Sequence, residues 1–231
     1  LGTGVGGGAI LNGKLYTGFN YAGMEIGHFV IEHGGRLCTC GRRGCFEAYC
    51  SATALIKRTR QVMEEDRTSR LWELAGSLEG VNGRTPFDAA AQGDPAAGKV
   101  IDEYVDYLGC GVASLVNIFQ PEVICIGGGP SAQGETLMAP VRYILNREDY
   151  ARNNLRSFVP GAGALFRGRW LCPALLRREK EQGEPEQNGR RDGDGLYLVL
   201  LQPGTVGLQG RDFPGRRVER HRNHHAQGQP G

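Results

Sequence analysis

A short run of cysteines and glycines constrains this chain more than any other feature. Three cysteines lie within eight residues in the pattern C-x-C-G-x-x-G-C, and a Gly-His pair precedes the first of them by ten residues. Three thiolates and one imidazole are the donor set of a four-coordinate zinc site, and such a site without an open position is usually structural. The two glycines can adopt the positive φ angles that fold a chain back around one ion. The predicted ligands are His28, Cys38, Cys40 and Cys45.

Two other interpretations of this run remain open from the sequence. The cysteines can instead be buried or disulfide-linked, which the neighbouring glycines disfavour. His33 lies nearer to the cysteines than His28, but its neighbours Glu32, Gly34 and Gly35 are typical of an exposed turn. His28 is therefore the preferred fourth ligand.

Residues 27–47 resemble the zinc motif of the ROK family of sugar kinases and sugar-responsive repressors, which reads G-H and then C-x-C-G-x-x-G-C-x-E. The opening segment Leu1–Gly8 is similar to the second phosphate-binding segment of that family, and Ile126–Gly129 is similar to its adenosine-side glycine turn. The resemblance covers residues 1–158 and is closest to the bacterial glucokinases of the family. Three motifs in the family's order make it specific.

The resemblance implies an α/β, actin-like (ribonuclease-H-like) ATPase fold with a zinc knuckle, and ATP-dependent phosphorylation of a hexose, with glucose favoured. It implies ATP, Mg²⁺ and a structural Zn²⁺ as cofactors, and a homodimer of the complete protein. Glu25, His28 and Glu47 are assigned to hexose hydroxyls, with His28 also binding zinc through its other ring nitrogen. The implied nucleotide-binding residues are Gly2, Thr3, Gly4, Gly127, Gly128 and Gly129.

Turn and capping residues divide the rest of the first 158 residues into elements. A buried strand, a glycine turn and a helix in succession place a nucleotide at the carboxyl end of a parallel strand. The predicted elements are a hairpin over 5–17 with its turn at Asn12-Gly13, helices over 51–63, 94–119 and 133–148, a short helix from Thr85, and a strand over 123–126.

The composition changes after Phe158. Beyond it Arg, Gly, Pro and Gln dominate, and isoleucine does not recur after Ile144. Such a composition disfavours a packed core. We expect residues 1–158 to be the C-terminal portion of a ROK sugar kinase and residues 159–231 to be a low-complexity tail, either from a shifted reading frame or disordered. The family's catalytic aspartate and first phosphate loop are expected upstream of Leu1, so no catalytic residue is assigned and the chain alone is expected to be inactive.

Composition and charge exclude several classes of partner. The 231 residues carry a formal net charge of +2, too small to indicate nucleic acid or an acidic membrane surface. No apolar stretch approaches the roughly 20 residues that span a bilayer. The seven cysteines fit a reducing compartment better than a disulfide framework. We therefore expect a cytoplasmic protein without nucleic-acid or membrane partners.

Two functions from other classes compete with a kinase. A sugar-responsive repressor of the same family shares the zinc knuckle and sugar-contacting residues, but it has no need for glycine turns that cradle phosphates. A nucleic-acid zinc knuckle is suggested by Arg36, Arg42 and Arg43, although aromatic platforms do not interleave with them. ATP binding separates the first alternative from a kinase, and salt-dependent RNA binding tests the second.

Overall fold

Five strands form one mixed sheet in the computed structural model, which describes residues 1–11, 14–121, 123–148, 150, 157–160 and 196–201. The strands are β1 (Gly6–Leu11), β2 (Lys14–Leu15), β3 (Val123–Ile126), β4 (Ser157–Pro160) and β5 (Leu196–Leu201). Their order across the sheet is β2-β1-β5-β3-β4. β1 pairs antiparallel with β2 and β5, whereas β3 pairs parallel with β5 and β4.

Six helices lie between β2 and β4 in the described part of the chain. They are α1 (Glu47–Cys50), α2 (Ala52–Glu65), α3 (Leu71–Ala75), α4 (Thr85–Ala91), α5 (Pro95–Phe119) and α6 (Glu135–Glu148). Two 3-10 turns, Ile26–His28 and Gly129–Gln133, precede the metal motif and α6. The predicted α/β class, the helices and the strand over 123–126 are confirmed. The predicted hairpin is confirmed as β1 and β2, and its turn at residues 12 and 13 lies outside the described residues.

Capping side chains explain where the two longest helices before β3 begin. The Ser51 hydroxyl accepts a hydrogen bond of 3.0 Å from Ala54 N at the start of α2. The Asp94 carboxylate does the same for Ala97 N at 2.7 Å at the start of α5, where proline occupies the first position. Gln120 ends α5 in the left-handed region, with φ of 47°. These are the start signals that the sequence carries.

Helix α5 is the centre of the helical layer and packs against α2, α4 and α6. Two glycines on its buried face let neighbours approach closely, because a Cβ on Gly111 would overlap the Phe46 ring and one on Gly109 would overlap Ile144. Its larger buried side chains are Val100, Tyr104, Val105, Leu108, Val112, Leu115 and Val116. Within the described part of the chain, every helix is too short or too polar to cross a membrane.

The central strand of the sheet lies far from its neighbours in sequence. β5 falls within residues 159–231, for which the composition predicts a low-complexity tail. The average composition of residues 159–231 hides the apolar run L-Y-L-V-L-L. Such a run is typical of a strand that is covered on both faces of its sheet. The rest of the stretch beyond β4 lies outside the described residues, so the boundary at Phe158 stays a prediction. Cys125 in β3 is disulfide-bonded, although the seven cysteines fit a reducing compartment better than a disulfide framework.

Candidate metal and ligand site

The loop from His28 to Glu47, here called the knuckle, folds back on itself through short-range hydrogen bonds. Cys38 N donates to Arg42 O at 2.8 Å, and Gly41 N donates to Cys38 O at 3.0 Å. Gly41 and Gly44 have φ values of 87° and 80°, in the region that favours glycine. The two glycines therefore make the reversal that the motif predicts.

This reversal brings the four predicted ligands together. One donor atom from each of His28, Cys38, Cys40 and Cys45 lies within 4.8 Å of the other three. His28 Nδ1 is 3.7 Å from Cys38 Sγ, and Cys40 Sγ is 3.7 Å from Cys45 Sγ. A tetrahedral zinc with bonds of about 2.3 Å to sulfur and 2.0–2.1 Å to nitrogen sets these edges at about 3.5–3.8 Å. The donor set thus fits zinc, and the exposed His33 is not part of the cluster.

The cysteines differ in how readily they ionise. Burial raises the pKa of Cys45 to about 12. The pKa of Cys40 is lowered, first by a backbone hydrogen bond at Arg42. A cation bound by all three cysteines must therefore displace the Cys45 proton, because thiolates and not thiols ligate zinc.

Glu47 begins α1 at the end of the knuckle and is half-buried. Its Oε2 accepts a hydrogen bond of 2.9 Å from Val5 N, and its Oε1 accepts one of 3.0 Å from the Thr39 hydroxyl. Oε1 also lies 3.8 Å from Cys38 Sγ, which is itself 3.7 Å from His28 Nδ1. The structure therefore brings Glu47 and His28 to the same cysteine.

Glu25 immediately precedes the 3-10 turn that carries His28. Its backbone oxygen accepts a hydrogen bond of 3.0 Å from His28 N, which fixes the two residues relative to each other. Its side chain is exposed, and it accepts no hydrogen bond from any residue that the structure describes. The Glu25 carboxylate is thus available to a ligand, while Glu47 is already held by protein donors.

The two glycine-rich segments predicted to hold nucleotide lie against each other. Leu1 N is 2.5 Å from Gly127 O, and a Cβ on Gly128 would overlap the Leu1 carbonyl. Gly128 has φ of 97° directly after β3, so both its conformation and its neighbour exclude a larger residue. Gly2 and Gly4 are buried while Thr3 is exposed between them, and Gly129 is exposed on the other segment. The ends of β1 and β3 thus form one glycine-lined edge.

The N-terminal end of α2 anchors the first of these segments. Ala52 N donates to Gly2 O at 2.7 Å, and the Thr53 hydroxyl donates to Thr3 O at 2.8 Å. Together with Glu47, these bonds hold residues 2–5 from two directions. The backbone N–H of Val5 points to the Glu47 carboxylate and is not available to a phosphate.

A network of aromatic and charged side chains holds the outer side of the knuckle. The Arg36 guanidinium lies 4.5 Å from the ring centroid of Tyr49 and 5.6 Å from that of Tyr107, and it pairs with Glu103. Arg58 Nε pairs with the same carboxylate at 2.9 Å. Burial alone would raise the pKa of Glu103, but the hydrogen bonds and charges of the two arginines hold it below its usual value. The network joins the knuckle to α2 and α5.

Sequence reasoning missed two residues of this site. The sequence groups Arg36 with Arg42 and Arg43 in a basic cluster, because its aromatic partners lie 13 and 71 residues away along the chain. Thr39 occupies the x position of the C-x-C pattern, and nothing in the sequence indicates that its hydroxyl meets Glu47. The sequence carries one signal for the contact of Arg36: an aromatic residue, Tyr49, lies four positions after Cys45.

The family model described as "ROK family" matches residues 1–159. The chain belongs to the ROK family. It is 46% identical over 142 residues to a glucokinase of Thermotoga maritima, covering 62% of this chain and 45% of that protein. It is 33% identical over 153 residues to a xylose repressor of Caldicellulosiruptor bescii, covering 65% of this chain and 37% of that protein.

A solved structure shows the same likeness in three dimensions. The ROK family glucokinase from Streptomyces griseus, in complex with glucose and AMPPNP, is 34% identical and superposes with a TM-score of 0.63. The superposition covers 69% of this chain and 53% of that protein. The chain spans about half the length of the curated glucokinases that it matches.

Proposed function

We propose that this chain is part of an ATP-dependent hexose kinase of the actin-like ATPase type, with glucose as the favoured substrate. One observation carries the proposal: the Glu47 carboxylate accepts a hydrogen bond of 2.9 Å from Val5 N. Glu47 is a proposed ligand of the sugar hydroxyls, and Val5 directly follows the proposed phosphate-binding residues Gly2, Thr3 and Gly4. A kinase needs its sugar and phosphate sites this close, since phosphoryl transfer depends chiefly on positioning. The similarity to glucokinases supports the choice of substrate.

The sugar side of the site consists of Glu25, His28 and Glu47. Fixed carboxylates and an oriented imidazole discriminate between sugars, because an analogue that lacks one hydroxyl leaves them unpaired. His28 presents Nδ1 to the cysteines, which leaves Nε2 for a hydroxyl. Glu47 Oε1 accepts hydrogen bonds from the Thr39 hydroxyl and the Cys38 thiol. Among the described residues Oε2 accepts one bond, from Val5 N, and retains acceptor capacity for the sugar.

The nucleotide side consists of the glycine-lined edge. We propose that the segment Gly2, Thr3 and Gly4, in which Gly2 N already donates to Gly4 O at 2.9 Å, lies at the phosphates of ATP with its Mg²⁺. Gly127, Gly128 and Gly129 lie on the adenosine side. Successive backbone N–H groups form anion-binding concavities, and only small residues let a phosphate approach the backbone. The catalytic base is expected in the part of the relatives that this chain does not span.

The bound cation at the four-ligand cluster is proposed to be Zn²⁺. When bound, it fixes the knuckle and with it the direction of the His28 ring and of the Glu47 carboxylate. We further propose a cytoplasmic homodimer for the complete protein, without nucleic-acid or membrane partners. These proposals rest on family membership.

The test joins this chain to the N-terminal half of the T. maritima glucokinase and measures ATP-dependent phosphorylation of glucose. The joined protein is expected to phosphorylate glucose, and the chain alone is expected not to. Glu25→Gln in the joined protein is expected to raise the KM for glucose at least about tenfold while the KM for ATP changes little, because the lost hydroxyl contact is specific to the sugar. Turnover by the chain alone would contradict the proposal, and so would equal KM values for glucose in the joined protein and its Glu25→Gln variant.

A repressor effector domain is the second candidate, because a xylose repressor is also similar to the chain. Binding of AMPPNP to the joined protein distinguishes the two. A kinase binds this analogue, whereas a domain that only senses sugar binds sugar without it.

A further inference from the structure

The two oxygens of Glu47 bind two different parts of the site. Oε1 accepts from the Thr39 hydroxyl in the knuckle at 3.0 Å, and Oε2 accepts from Val5 N at 2.9 Å. Thr39 and Val5 are 34 residues apart in sequence, and no hydrogen bond between described residues joins them directly. The carboxylate is therefore a bridge between the knuckle and the first glycine-rich segment.

Val5 is held on its other side by the same loop region. A Cβ on Gly27 would overlap Val5 O, so the two backbones are in direct contact one residue before His28. The Val5 side chain is buried as well, with 2% of its surface exposed. The N–H, the carbonyl and the side chain of Val5 are thus all in close contact with neighbouring residues. Because the packing is tight, a displacement of the knuckle is transmitted to Val5.

Thr39 lies between two of the four candidate ligands, Cys38 and Cys40. A cation that draws both Sγ atoms to itself fixes the backbone on either side of Thr39, and so fixes the direction of its hydroxyl. The entropic cost of ordering the bond to Glu47 is then met by metal binding. The Thr39 hydroxyl is exposed, and apart from Glu47 its hydrogen-bond contact among the described residues is the longer one to Cys38 Sγ at 3.9 Å.

We propose that Thr39 is a positioning residue which, through Glu47, couples metal binding in the knuckle to the geometry of residues 2–5. The proposal rests on the zinc site of the proposed function. Coupling of this kind is reciprocal: whatever holds Val5 in place also raises the affinity of the knuckle for the metal. The metal then orders the nucleotide side of the site as well as the sugar side.

The test measures hydrogen exchange at the Val5 amide by NMR in the full chain, with zinc and with a chelator. Zinc is expected to slow exchange at Val5 at least about tenfold in the wild type, since protection reports the opening of that bond. Thr39→Val keeps the volume and removes the hydroxyl. It is expected to bind one zinc with an affinity within about threefold of the wild type, while zinc slows Val5 exchange by less than about twofold.

Two further variants sharpen the result. Thr39→Ser restores the hydroxyl and is expected to restore zinc-dependent protection. Thr53→Val removes a different threonine bond to the same segment, the one to Thr3 O at 2.8 Å, and is expected to keep the zinc dependence. Should Thr39→Val fail to fold, Thr39→Ala takes its place, and the wild-type titration already tests the coupling.

The outcomes separate this inference from the proposed function. If one zinc binds but Val5 exchange is unchanged in the wild type, or if Thr39→Val responds to zinc as the wild type does, the coupling is wrong and the metal site stands. If no zinc binds to the wild type, both are wrong.

Discussion

Arg36 and Tyr49 contact each other twice, through backbone and side chain. Arg36 N donates a hydrogen bond of 2.7 Å to the Tyr49 hydroxyl, and the Arg36 guanidinium lies over the Tyr49 ring, 4.5 Å from its centroid. The hydroxyl is thereby satisfied at the edge of the core and the charge is stacked above the ring. The pair fixes the knuckle to α1, two residues before Cys38, the first of the predicted cysteine ligands.

Arg36→Ala is expected to lower the free energy of unfolding by about 1–3 kcal/mol, because it removes the stacked cation and leaves Glu103 with one arginine partner. Urea denaturation in the presence of zinc measures the change. Arg43→Ala is the control, since the Arg43 side chain is exposed and, among the described residues, donates only to Gly35 O at 3.3 Å. Its effect is expected to stay within about 0.5 kcal/mol. Equal effects of the two variants would contradict the role of Arg36.

Gly111→Ala and Gly98→Ala make a matched pair on α5. A Cβ at position 111 overlaps the ring of Phe46, which directly follows the predicted ligand Cys45, whereas a Cβ at position 98 meets nothing within 4 Å. Gly111→Ala is expected to destabilise by about 1–3 kcal/mol despite the better helix propensity of alanine. Gly98→Ala is expected to stabilise by about 0.5–1 kcal/mol, because alanine reduces the freedom of the unfolded chain. Thermal unfolding of both variants checks the opposite signs.

Asp94→Asn is expected to lower the free energy of unfolding by about 2 kcal/mol at neutral pH, because one carboxylate oxygen accepts from Ala97 N and the other from Arg70 N and Ser69. An amide has only one acceptor oxygen and sets its NH₂ against a donor. Asp102→Asn is the control: Asp102 is exposed on the same helix, and its effect is expected within about 0.5 kcal/mol.

The same carboxylate makes stability depend on acid. Burial alone would raise the pKa of Asp94, but the hydrogen bonds that it accepts lower it below its usual value. The unfolded chain therefore takes up this proton first, and the stabilisation, complete above the unfolded pKa of about 3.9, is lost as pH falls through the folded value. Between pH 5 and pH 3, the free energy of unfolding is expected to fall further in the wild type than in Asp94→Asn.

Removal of the metal is expected to destabilise the chain. At free zinc about 1,000-fold above its dissociation constant, binding stabilises the folded state by about 4 kcal/mol, which a chelator removes. Cys40→Ser is expected to weaken zinc binding at least about a hundredfold, whereas Cys110→Ser, at an exposed free cysteine outside the cluster, leaves it unchanged. Elemental analysis and titration against a chromophoric chelator measure both. Equal zinc content in the two variants would contradict the assigned ligands.

Local features of this molecule were predictable and long-range ones were not. The cysteine spacing and the glycines at 41 and 44 predict the chain reversal of the knuckle, and Ser51 and Asp94 predict the starts of their helices, because each acts within a few residues. The contact of Arg36 with Glu103 depends on how the knuckle meets α5, which no local pattern encodes. The role of Thr39 depends on the orientation of a carboxylate eight residues away. β5 was missed because a short strand vanishes in the average composition of a long polar stretch.

The position of β5 between β1 and β3 determines when the sheet can be completed during synthesis. Residues 6–11 and 123–126 leave the ribosome long before residues 196–201. Until β5 is synthesised, β1 and β3 each have an unpaired edge. Unpaired edges invite association with other chains, and distant pairings close slowly. A nascent chain stopped before residue 196 would therefore depend on chaperones or precipitate, even though its knuckle and helices were already in place.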